Sequence, residues 1–387
     1  MFPGLALFGL LAAALGWLCL ALAICGIGYQ LAAAWLTRRF FAARQSAPPS
    51  LRAVSLLKPL HGAEPRLLEN LTSFLAQDHR GPLQMVMGVN DASDSALPAA
   101  QALVAANPAA DLAISTGPRL PGANGKIGNL RAMLPLAAHD TLVLSDSDMV
   151  VAPDYLPQVL GALEQPGVGA VSCLYVGRGD AGVWSEIGAA VISYHHLPGM
   201  VVALASGMAQ PCMGSTIALT RHTLDAIGGL APLADVLADD HAIGEGVAAL
   251  GLKVAVPPLV LVHAGTEATL AELWRHFLRW AVTVRDLAGA GHYGSLITHP
   301  LPLALIGAGL TGSGPVLPLI ALGARLWLAN RLNRATGLSG GRLALLPFAD
   351  LFAFAAFCAS LFARRIDWRG SRLNMTARGR IAAGPVK

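Results

Sequence analysis

Two kinds of hydrophobic segment divide the chain: long apolar runs near both ends and short ones in between. No charged residue occurs between Met1 and Leu36. Residues 5–29 form an apolar core that exceeds the about 20 residues needed to cross a bilayer. Beyond Tyr293 the chain is apolar again, over residues 296–312, 316–328 and 343–362. The pattern predicts membrane segments on both sides of a more polar central region.

The N-terminal segment, residues 1–37, has the features of an uncleaved transmembrane anchor. A cleaved signal peptide begins with basic residues and has a shorter apolar region, and this segment shows neither. Arg38, Arg39 and Arg44 follow it directly. Because positively charged residues are retained on the cytoplasmic side of a membrane, we expect the polar region that follows to lie in the cytoplasm.

The C-terminal apolar region, residues 293–365, predicts a helical hairpin followed by a third membrane segment. The sequence Thr-Gly-Ser-Gly-Pro at 311–315 separates the first two runs and predicts a tight turn. A hairpin returns four arginines to the cytoplasmic side, whereas a single span would carry them across: Arg325, Arg331, Arg334 and Arg342. The third run contains Asp350, and its pattern fits either a span or an interfacial helix. A basic tail, residues 366–387, ends the chain.

Short apolar strands alternate with helical segments between residues 52 and 265. Strands are predicted at 54–57, 83–89, 112–115, 142–144, 168–176, 216–219 and 253–262, and helices at 67–76, 97–106, 129–137, 184–195 and 239–250. This alternation predicts an α/β fold with a doubly wound, mostly parallel sheet. Ligands of such sheets bind beyond the carboxyl ends of the strands. The next segment, 266–292, contains an amphipathic helix whose tryptophans and basic residues are typical of a membrane interface.

Composition supports a membrane protein and argues against several other classes. Only 13% of the residues are charged, and the mean hydropathy is +0.55, whereas soluble proteins carry about 25% charged residues. The net charge of +4 is small, and arginines beside apolar runs fit lipid headgroups better than nucleic acid. The five cysteines show no CxxC spacing, so the sequence suggests neither a zinc site nor a disulfide framework.

Two carboxylates, Asp146 and Asp148, directly follow the apolar strand at 142–144. Carboxylates at the end of a buried strand are costly unless a cation accompanies them. Their oxygens suit Mg²⁺ or Mn²⁺, which take phosphate oxygens as further ligands. A turn with two solvated acids is the alternative, and it is commoner for an isolated pair. Because Asp91 follows another strand and should lie at the same edge, we favour a metal and phosphate site.

Four landmarks stand in order along the chain: Asp91, Asp146-Ser-Asp148, Asp240 and His276-Phe-Leu-Arg279-Trp280. This order resembles glycosyltransferase family 21, which carries D, D, D and (Q/R)xxRW on a GT-A fold. The family includes ceramide glucosyltransferases and bacterial hopanoid-lipid glycosyltransferases. The resemblance extends from residues 56–62 through 124–130 to Trp280. His276 departs from the family pattern, and a histidine there is more similar to the bacterial branch.

The resemblance implies that the first three acids bind a nucleotide sugar. Asp91 would bind the uridine of the donor, with residues 59–62 lining the base pocket; an Asx turn is the structural alternative. Asp146 and Asp148 would hold Mg²⁺ or Mn²⁺ together with the donor phosphates. Many relatives keep only the first acid, so Asp146 is the firmer prediction. Lys126 is expected to face the diphosphate or to be a solvated loop lysine.

The resemblance also implies the catalytic base. Asp240 would take the proton from the acceptor hydroxyl, because desolvation near bound lipid raises the basicity of a carboxylate. Its neighbour, Asp239, is expected to be an N-cap or a solvated acid in the first turn of the helix.

The HxxRW helix and one further histidine complete the predicted site. Arg279 and Trp280 would close over the diphosphate and the acceptor channel, with the Arg279 guanidinium pairing with phosphate. His276 would contact phosphate or cap the site. His263 is a possible metal ligand, although a lone histidine more often is not one.

Together these features predict a membrane-bound inverting glycosyltransferase of glycolipid synthesis. It would move one sugar, glucose or N-acetylglucosamine, from a UDP-sugar to a membrane lipid hydroxyl. Ceramide is the expected acceptor and a hopanoid polyol the alternative. A processive polysaccharide synthase is less favoured, since such enzymes carry QxxRW and more spanning helices. A nucleotide-binding membrane scaffold without catalysis is the alternative from another class. The expected location is a bacterial inner membrane, with the catalytic domain on the cytoplasmic side.

Overall fold

The computed structural model describes residues 3–44, 50–117, 120–208 and 212–363, and the backbone of three short strands beyond them. Fourteen α-helices lie in these ranges: α1 Pro3–Ala42, α2 Leu67–Ser73, α3 Leu97–Ala106, α4 Gly125–Met133, α5 Tyr155–Leu163, α6 Val183–Val191, α7 Leu197–Ala205, α8 Arg221–Ala226, α9 Asp239–Ala249, α10 Leu270–Ala288, α11 Ala290–Gly294, α12 Pro300–Thr311, α13 Val316–Thr336 and α14 Leu346–Ser360. Most of the expected linker at 46–50 lies outside the described residues.

The described part of the chain also contains thirteen strands: β1 Val54–Pro59, β2 Leu83–Gly88, β3 Asp111–Ser115, β4 Thr141–Leu144, β5 Met149–Val150, β6 Val168–Ser172, β7 Leu174–Gly179, β8 Ile217–Thr220, β9 Lys253–Ala255, β10 Val260–Gly265, β11 Arg365–Trp368, β12 Ser371–Met375 and β13 Ile381–Ala383. The last three strands form an antiparallel sheet that begins at Arg365, one residue before the predicted basic tail. The rest of that tail lies outside the described residues.

A seven-stranded sheet, in the order β3-β2-β1-β4-β8-β6-β9, forms the centre of the polar region. Strands β3, β2, β1 and β4 are parallel to one another, and β6 is parallel to β9. Strand β8 runs antiparallel to both β4 and β6. The predicted doubly wound, mostly parallel α/β sheet is therefore confirmed. In the register of the sheet, Leu57 of β1 pairs with Leu144 of β4, so the carboxyl ends of these strands share one edge.

Hydrophobic side chains cover both faces of this sheet, which explains why its strands are apolar runs rather than alternating ones. Leu56 and Val143 belong to the cluster on one face, and Leu57, Leu142 and Leu144 belong to the cluster on the other. All five are buried.

Two predicted strands are each divided in the structure. Instead of a strand at 168–176, β6 lies in the main sheet and β7 lies in a second sheet of order β5-β10-β7, with Cys173 at the crossing. Instead of a strand at 253–262, β9 and β10 lie in these two sheets. Pro257 and Pro258 separate β9 from β10, because proline has no N–H to donate to a sheet.

The helix predicted at 184–195 is longer and interrupted. It begins as α6, continues through a π-helix at Ile192–His196 and ends as α7 at Ala205. The prediction stopped too early because Pro198 follows, yet this proline sits in the first turn of α7, where a missing N–H is tolerated. The whole segment, Val183–Ala205, is apolar enough to be a candidate membrane span.

Along the sequence, candidate membrane spans occur before and after the strands of the main sheet, and one occurs between two of these strands. Within the described residues, three helices are long and apolar enough to cross a membrane: Leu7–Ala42, Val183–Ala205 and Leu343–Ser360. A bent pair, Ala290–Thr298 with Pro300–Thr311, makes a fourth if it is counted as one span. Helix α1 packs against α7, α12 and α13. These helices indicate that the protein is associated with a membrane.

The helical hairpin differs from its prediction in one important residue. Helices α12 and α13 pack together, as expected, with the turn at Gly312 to Pro315. Arg325, however, is not one of the arginines that flank the hairpin on the cytoplasmic side, because it is buried inside the helix bundle and paired with Asp350 of α14. The argument that four arginines return to the cytoplasm therefore rests on the other three.

Candidate active site

The Asp146-Ser-Asp148 turn joins β4 of the main sheet to β5 of the second sheet. The Asp146 N–H donates to the Gly214 carbonyl at 3.1 Å. Beneath the turn, the buried Lys58 ammonium donates to the Asp146 carbonyl at 2.6 Å and to Ser145 Oγ at 3.2 Å. Burial lowers the pKa of Lys58 to about 7 even though nearby carboxylates raise it. Sequence reasoning missed this lysine, whose only signal is a cationic residue inside an apolar strand.

Lys126 links the first acid of the turn to helix α9. Its Nζ lies 2.7 Å from Asp146 Oδ1 and 3.5 Å from Asp239 Oδ2. Burial opposes the charge of this ammonium, but Asp146, Asp239 and Asp240 raise its pKa overall. Gly214 allows this close approach, since a Cβ at that position would lie 2.6 Å from Asp146 Oδ2 and 2.7 Å from Lys126 Nζ. Lys126 is therefore not a solvated loop lysine.

Asn124 fixes the position of Lys126. Its side chain caps α4 by accepting from the N–H groups of Lys126 and Ile127, at 3.0 and 3.1 Å. The same amide donates to Asp239 Oδ1 at 3.1 Å. This cap begins α4 at Gly125, so the helix predicted to begin at residue 129 starts one turn earlier.

Asp239 and Asp240 open helix α9, as predicted, but they have different surroundings. Asp239 is buried against Asn124 and Lys126, so the prediction of an N-cap or a solvated acid is wrong; the N-cap is Ala238. Asp240 accepts from the Gly214 N–H at 3.0 Å. Burial, and next the charge of Asp239, raise the pKa of Asp240 to about 6.

Asp148 pairs with His263 on β10, with 3.2 Å between Oδ2 and Nε2. Burial raises the pKa of this carboxyl, but the His263 charge outweighs it and lowers the value to about 2. Burial opposes the charge of His263, whose pKa is nevertheless raised to about 9, chiefly by Asp148. His263 therefore lies at the acidic edge, next to one of the two predicted metal ligands.

The acids at this edge have the chemistry of a site for a divalent cation. Within the described ranges, no group of three or more His, Cys, Asp or Glu side chains is arranged to hold a metal ion by itself. Mg²⁺ commonly takes only one or two carboxylates and completes its shell with phosphates and water. The Oδ1 atom of Asp148 is buried and makes no hydrogen bond, so it is available as such a ligand. Asp146 and Asp148 thus fit a metal that also binds a diphosphate.

Helix α10 carries the HxxRW residues toward the same side of the fold. A capping box between Thr269 and Glu272 fixes its start. His276 Nδ1 is bonded to the Glu267 carboxylate, and its ring meets that of Trp280 edge to face at 4.6 Å. Burial lowers the pKa of His276; the hydrogen bond to Glu267 opposes this shift, and the positive charge of Arg279 adds to it.

Aromatic contacts connect this helix to the acidic edge. The Trp280 ring lies 6.3 Å from the ring of His263, which pairs with Asp148, and 5.8 Å from the ring of His196. The structure thus brings the second acid of the turn and the HxxRW tryptophan to either side of one histidine.

Asp91 lies in an Asx turn after β2, at the exposed rim of the same edge. Its Oδ1 accepts from both the N–H and the hydroxyl of Ser93, each at 2.8 Å. Asp94, which sequence reasoning missed, contacts the predicted base-pocket loop instead. It accepts from the Gly62 N–H at 2.8 Å and contacts His61 Nδ1 at 3.0 Å. Its only sequence signal is a second acid three residues after Asp91.

Three side chains with different chemical properties therefore lie along one edge of the sheet. Asp240 is a carboxylate of raised basicity, Lys126 is a cation held between carboxylates, and Asp148 has a free buried oxygen. A base, a cation and a metal ligand at one edge suit the transfer of a group from a diphosphate to a hydroxyl.

Comparisons with known proteins give the family and two relatives of the chain. The family model described as Glycosyl transferase family 21 matches residues 18–381. Ceramide glucosyltransferase 1 of Caenorhabditis elegans is 20% identical over 349 residues, which cover 86% of this chain and 74% of that protein. Ceramide glucosyltransferase 3 of the same organism is 23% identical over 350 residues, with the same coverage.

A solved structure matches the fold. The mannosyltransferase from Pyrobaculum calidifontis, described in complex with GDP-mannose and Mn²⁺, covers 90% of this chain and 99% of its own. The TM-score is 0.50 at 22% sequence identity. This likeness concerns the fold alone, and it confirms the GT-A-like arrangement of the sheet and its helices.

Proposed function

Because the chain belongs to glycosyltransferase family 21, we propose that it is a membrane-bound inverting enzyme that moves one sugar from a UDP-sugar to a lipid hydroxyl. We propose glucose as the sugar and ceramide as the acceptor, by likeness to the two nematode relatives. The observation that carries the proposal is the edge at which Asp240, of raised basicity, accompanies the Lys126–Asp146 pair.

Asp240 acts as the general base in this proposal. Its carboxylate takes the proton of the lipid hydroxyl while that oxygen forms a bond to the anomeric carbon of the sugar. The bond from the anomeric carbon to the diphosphate oxygen breaks, and UDP leaves with the electron pair. Because the lipid oxygen attacks from the face opposite the diphosphate, the anomeric configuration is inverted. The Gly214 N–H, at 3.0 Å from Oδ2, orients the carboxylate for this step.

Cationic side chains stabilise the negative charge of the donor. Lys126 exchanges its contact with Asp146 for a diphosphate oxygen when the donor binds, and Arg279 pairs with phosphate through its planar guanidinium. Asp146 and Asp148 would hold a Mg²⁺ or Mn²⁺ ion, which would supply positive charge next to the donor diphosphate. Asp91 and the loop at residues 59–62 bind the uridine.

The acceptor approaches from the membrane side. Helix α10 lies between the acidic edge and the C-terminal helices, and it packs against α14 and α6. Trp280 and His276 border the acceptor channel. A bacterial inner membrane, with the sheet domain on the cytoplasmic side, is the proposed location, supported by Arg38 and Arg39 at the end of α1.

Reconstituted protein tests the proposal directly. We would place the full chain in lipid nanodiscs that contain ceramide, add UDP-glucose with Mg²⁺ or Mn²⁺, and detect hexosylceramide by mass spectrometry. Parallel samples contain UDP-N-acetylglucosamine or a hopanoid polyol. We expect one hexose per ceramide from UDP-glucose. If product formed only in the sample with the hopanoid polyol, ceramide would be excluded and the hopanoid would be the acceptor.

The alternatives predict different products. A polymer of sugars would indicate a processive polysaccharide synthase. Binding of UDP without any transfer would indicate a membrane scaffold without catalysis. Asp146→Asn and Asp240→Asn should lower product formation at least a hundredfold, whereas Glu245→Gln should keep it, because that side chain is 72% exposed on α9, where it pairs with His241.

A further inference from the structure

A guanidinium is buried among the apolar helices next to the sheet domain. Arg325, on α13, is 1% exposed, and Asp350, on α14, is 3% exposed. The Arg325 Nε donates to Asp350 Oδ2 at 2.9 Å. Ionised side chains inside a membrane helix bundle are costly, and those that occur usually have a function. Neither the proposed transfer step nor donor binding uses this pair.

The other nitrogens of Arg325 bind backbone carbonyls of two further segments. Nη1 donates to the Tyr194 carbonyl at 2.6 Å, and Nη2 donates to the Thr298 carbonyl at 3.2 Å. Thr298 ends the 3₁₀ turn that precedes α12. One side chain thus joins α13, α14, the start of α12 and the π-helix at Ile192–His196. The planar fork of an arginine suits this arrangement, because its three nitrogens donate in different fixed directions.

The π-helix in turn contacts the candidate active site. Ser193 Oγ accepts from the Gly177 N–H of β7 at 2.8 Å. The His196 ring lies 5.8 Å from the ring of Trp280 and 5.7 Å from that of Tyr175. π-Helical turns are rare in proteins, and many of those that are known lie at functional sites. The carbonyl bound by Arg325 is two residues from the side chain that packs on Trp280.

A second contact shows that the π-helix faces both regions. His195 stacks on His299 at 4.5 Å, on the side of the membrane helices. His196, the next residue, packs on Trp280 of the site. Any shift of this turn would therefore move groups on both sides of it.

We propose that Arg325 is a positioning residue for glycosyl transfer: it holds the π-helix in place and thereby holds Trp280 at the acceptor side of the site. A buried ion pair contributes little net stability compared with apolar residues of similar size. Arg325 differs from the member of a simple ion pair because it also donates hydrogen bonds to the Tyr194 and Thr298 carbonyls. The transfer part of this proposal rests on the proposed function.

The experiment compares three variants of the full chain in nanodiscs. Arg325→Met/Asp350→Leu removes both charges together, so no uncompensated charge is buried. Arg325→Lys keeps a charge for Asp350 but cannot reach both carbonyls. Arg331→Met is the control, because Arg331 lies on the same helix and its guanidinium packs on Trp327, at 5.4 Å from the ring centroid.

Hydrogen–deuterium exchange gives a readout that does not need activity. We expect the double variant and Arg325→Lys to exchange at least tenfold faster at residues 192–200 and 276–283, with no change at β1. Arg331→Met should match the wild type throughout. Unchanged exchange in both segments of the double variant would overturn the proposal.

Kinetics give the second readout. In the double variant we expect kcat/KM for the lipid acceptor to fall at least tenfold, with the Kd for UDP within twofold of the wild-type value. Unchanged acceptor kinetics would overturn the positioning role. If the wild type transfers no sugar, the proposed function is wrong. Faster exchange at residues 276–283 in the double variant would still support the proposal that Arg325 positions Trp280 through the π-helix.

Discussion

The Lys126–Asp146 pair at the sheet edge and the Arg325–Asp350 pair in the helix bundle have similar lengths, 2.7 and 2.9 Å, but different surroundings. The side chains of the first pair are 18% and 33% exposed, and those of the second are 2% and 4% exposed. Exposure allows the first pair to exchange partners with a ligand, whereas the second can break only at the cost of a buried charge. An ion pair thus suits ligand binding at the sheet edge, whereas in the helix bundle an ion pair suits the positioning of helices.

The largest effect should come from Asp240 at the exposed edge. Asp240→Asn removes the base but leaves a side chain of the same shape, so kcat should fall by about 10²–10⁴-fold, the usual contribution of general base catalysis. The melting temperature should change little. Transfer rates and thermal melts of the variant and of Glu245→Gln, side by side, check this; an Asp240→Asn enzyme with wild-type kcat would remove Asp240 from its role.

Removing the cation of each ion pair in a separate variant should have opposite effects. Loss of Arg325 should mainly lower stability, and loss of Lys126 should mainly weaken donor binding. Arg325→Met leaves Asp350 buried without a partner and should lower the free energy of unfolding by about 3–5 kcal/mol. Lys126→Met should cost less stability, because Asp146 is partly hydrated and the buried Asp239 keeps its hydrogen bond from Asn124, but it should weaken UDP-sugar binding more.

Denaturant unfolding and UDP titrations of both variants measure this contrast. Arg331→Met is again the matched control on α13. Equal losses of stability in Arg325→Met and Lys126→Met would contradict the distinction between the two pairs.

Activity should depend on pH through Asp240, whose pKa is raised to about 6. The base is ionised above that pH and protonated below it, so kcat/KM should be level near pH 7–8 and fall about tenfold per pH unit below about 6. Initial rates between pH 5 and 8 test this. A profile that stays level down to pH 5 would exclude a base with this pKa.

Two glycines provide the smallest and most local tests. A Cβ at Gly214 would meet the flexible ends of Lys126 and Asp146, so Gly214→Ala should weaken donor binding several-fold and leave stability nearly unchanged. A Cβ at Gly340 would lie 2.2 Å from Ser193 Cβ. Gly340→Ala should therefore cost about 1–3 kcal/mol of stability through overpacking.

Donor titrations and unfolding curves of the two alanine variants separate these effects. A Gly214→Ala protein that binds UDP-sugar as the wild type does would contradict the close packing of Lys126 and Asp146 on this residue.

The contrast between the two regions also explains what the sequence could predict. The strands and their order of appearance are local patterns, and Asp146, Asp148 and Asp240 each stand at the end of a strand or the start of a helix. Their shared edge follows from the parallel sheet. Lys58 and Asp94 were missed because only the folded chain brings Lys58 under the turn and Asp94 onto the loop at Gly62.

The Arg325–Asp350 pair could not be predicted in the same way. The sequence pattern places Arg325 among the arginines on the cytoplasmic side of the hairpin, and Asp350 interrupts an apolar segment. Each assignment is reasonable for a single helix, since the charge of one residue gives no information about a partner on another helix. The π-helix at Ile192–His196 was missed for a related reason, because its sequence continues an ordinary apolar helix.

The anomeric configuration of the product tests the central claim most directly. Asp240 as base in a single displacement predicts that a donor with an α-linked sugar, UDP-α-glucose, gives a β-linked glucolipid. Proton NMR of the purified product reports this through the coupling constant of the anomeric proton. A β linkage is the predicted result. An α linkage would contradict a single displacement and the role of Asp240 in it.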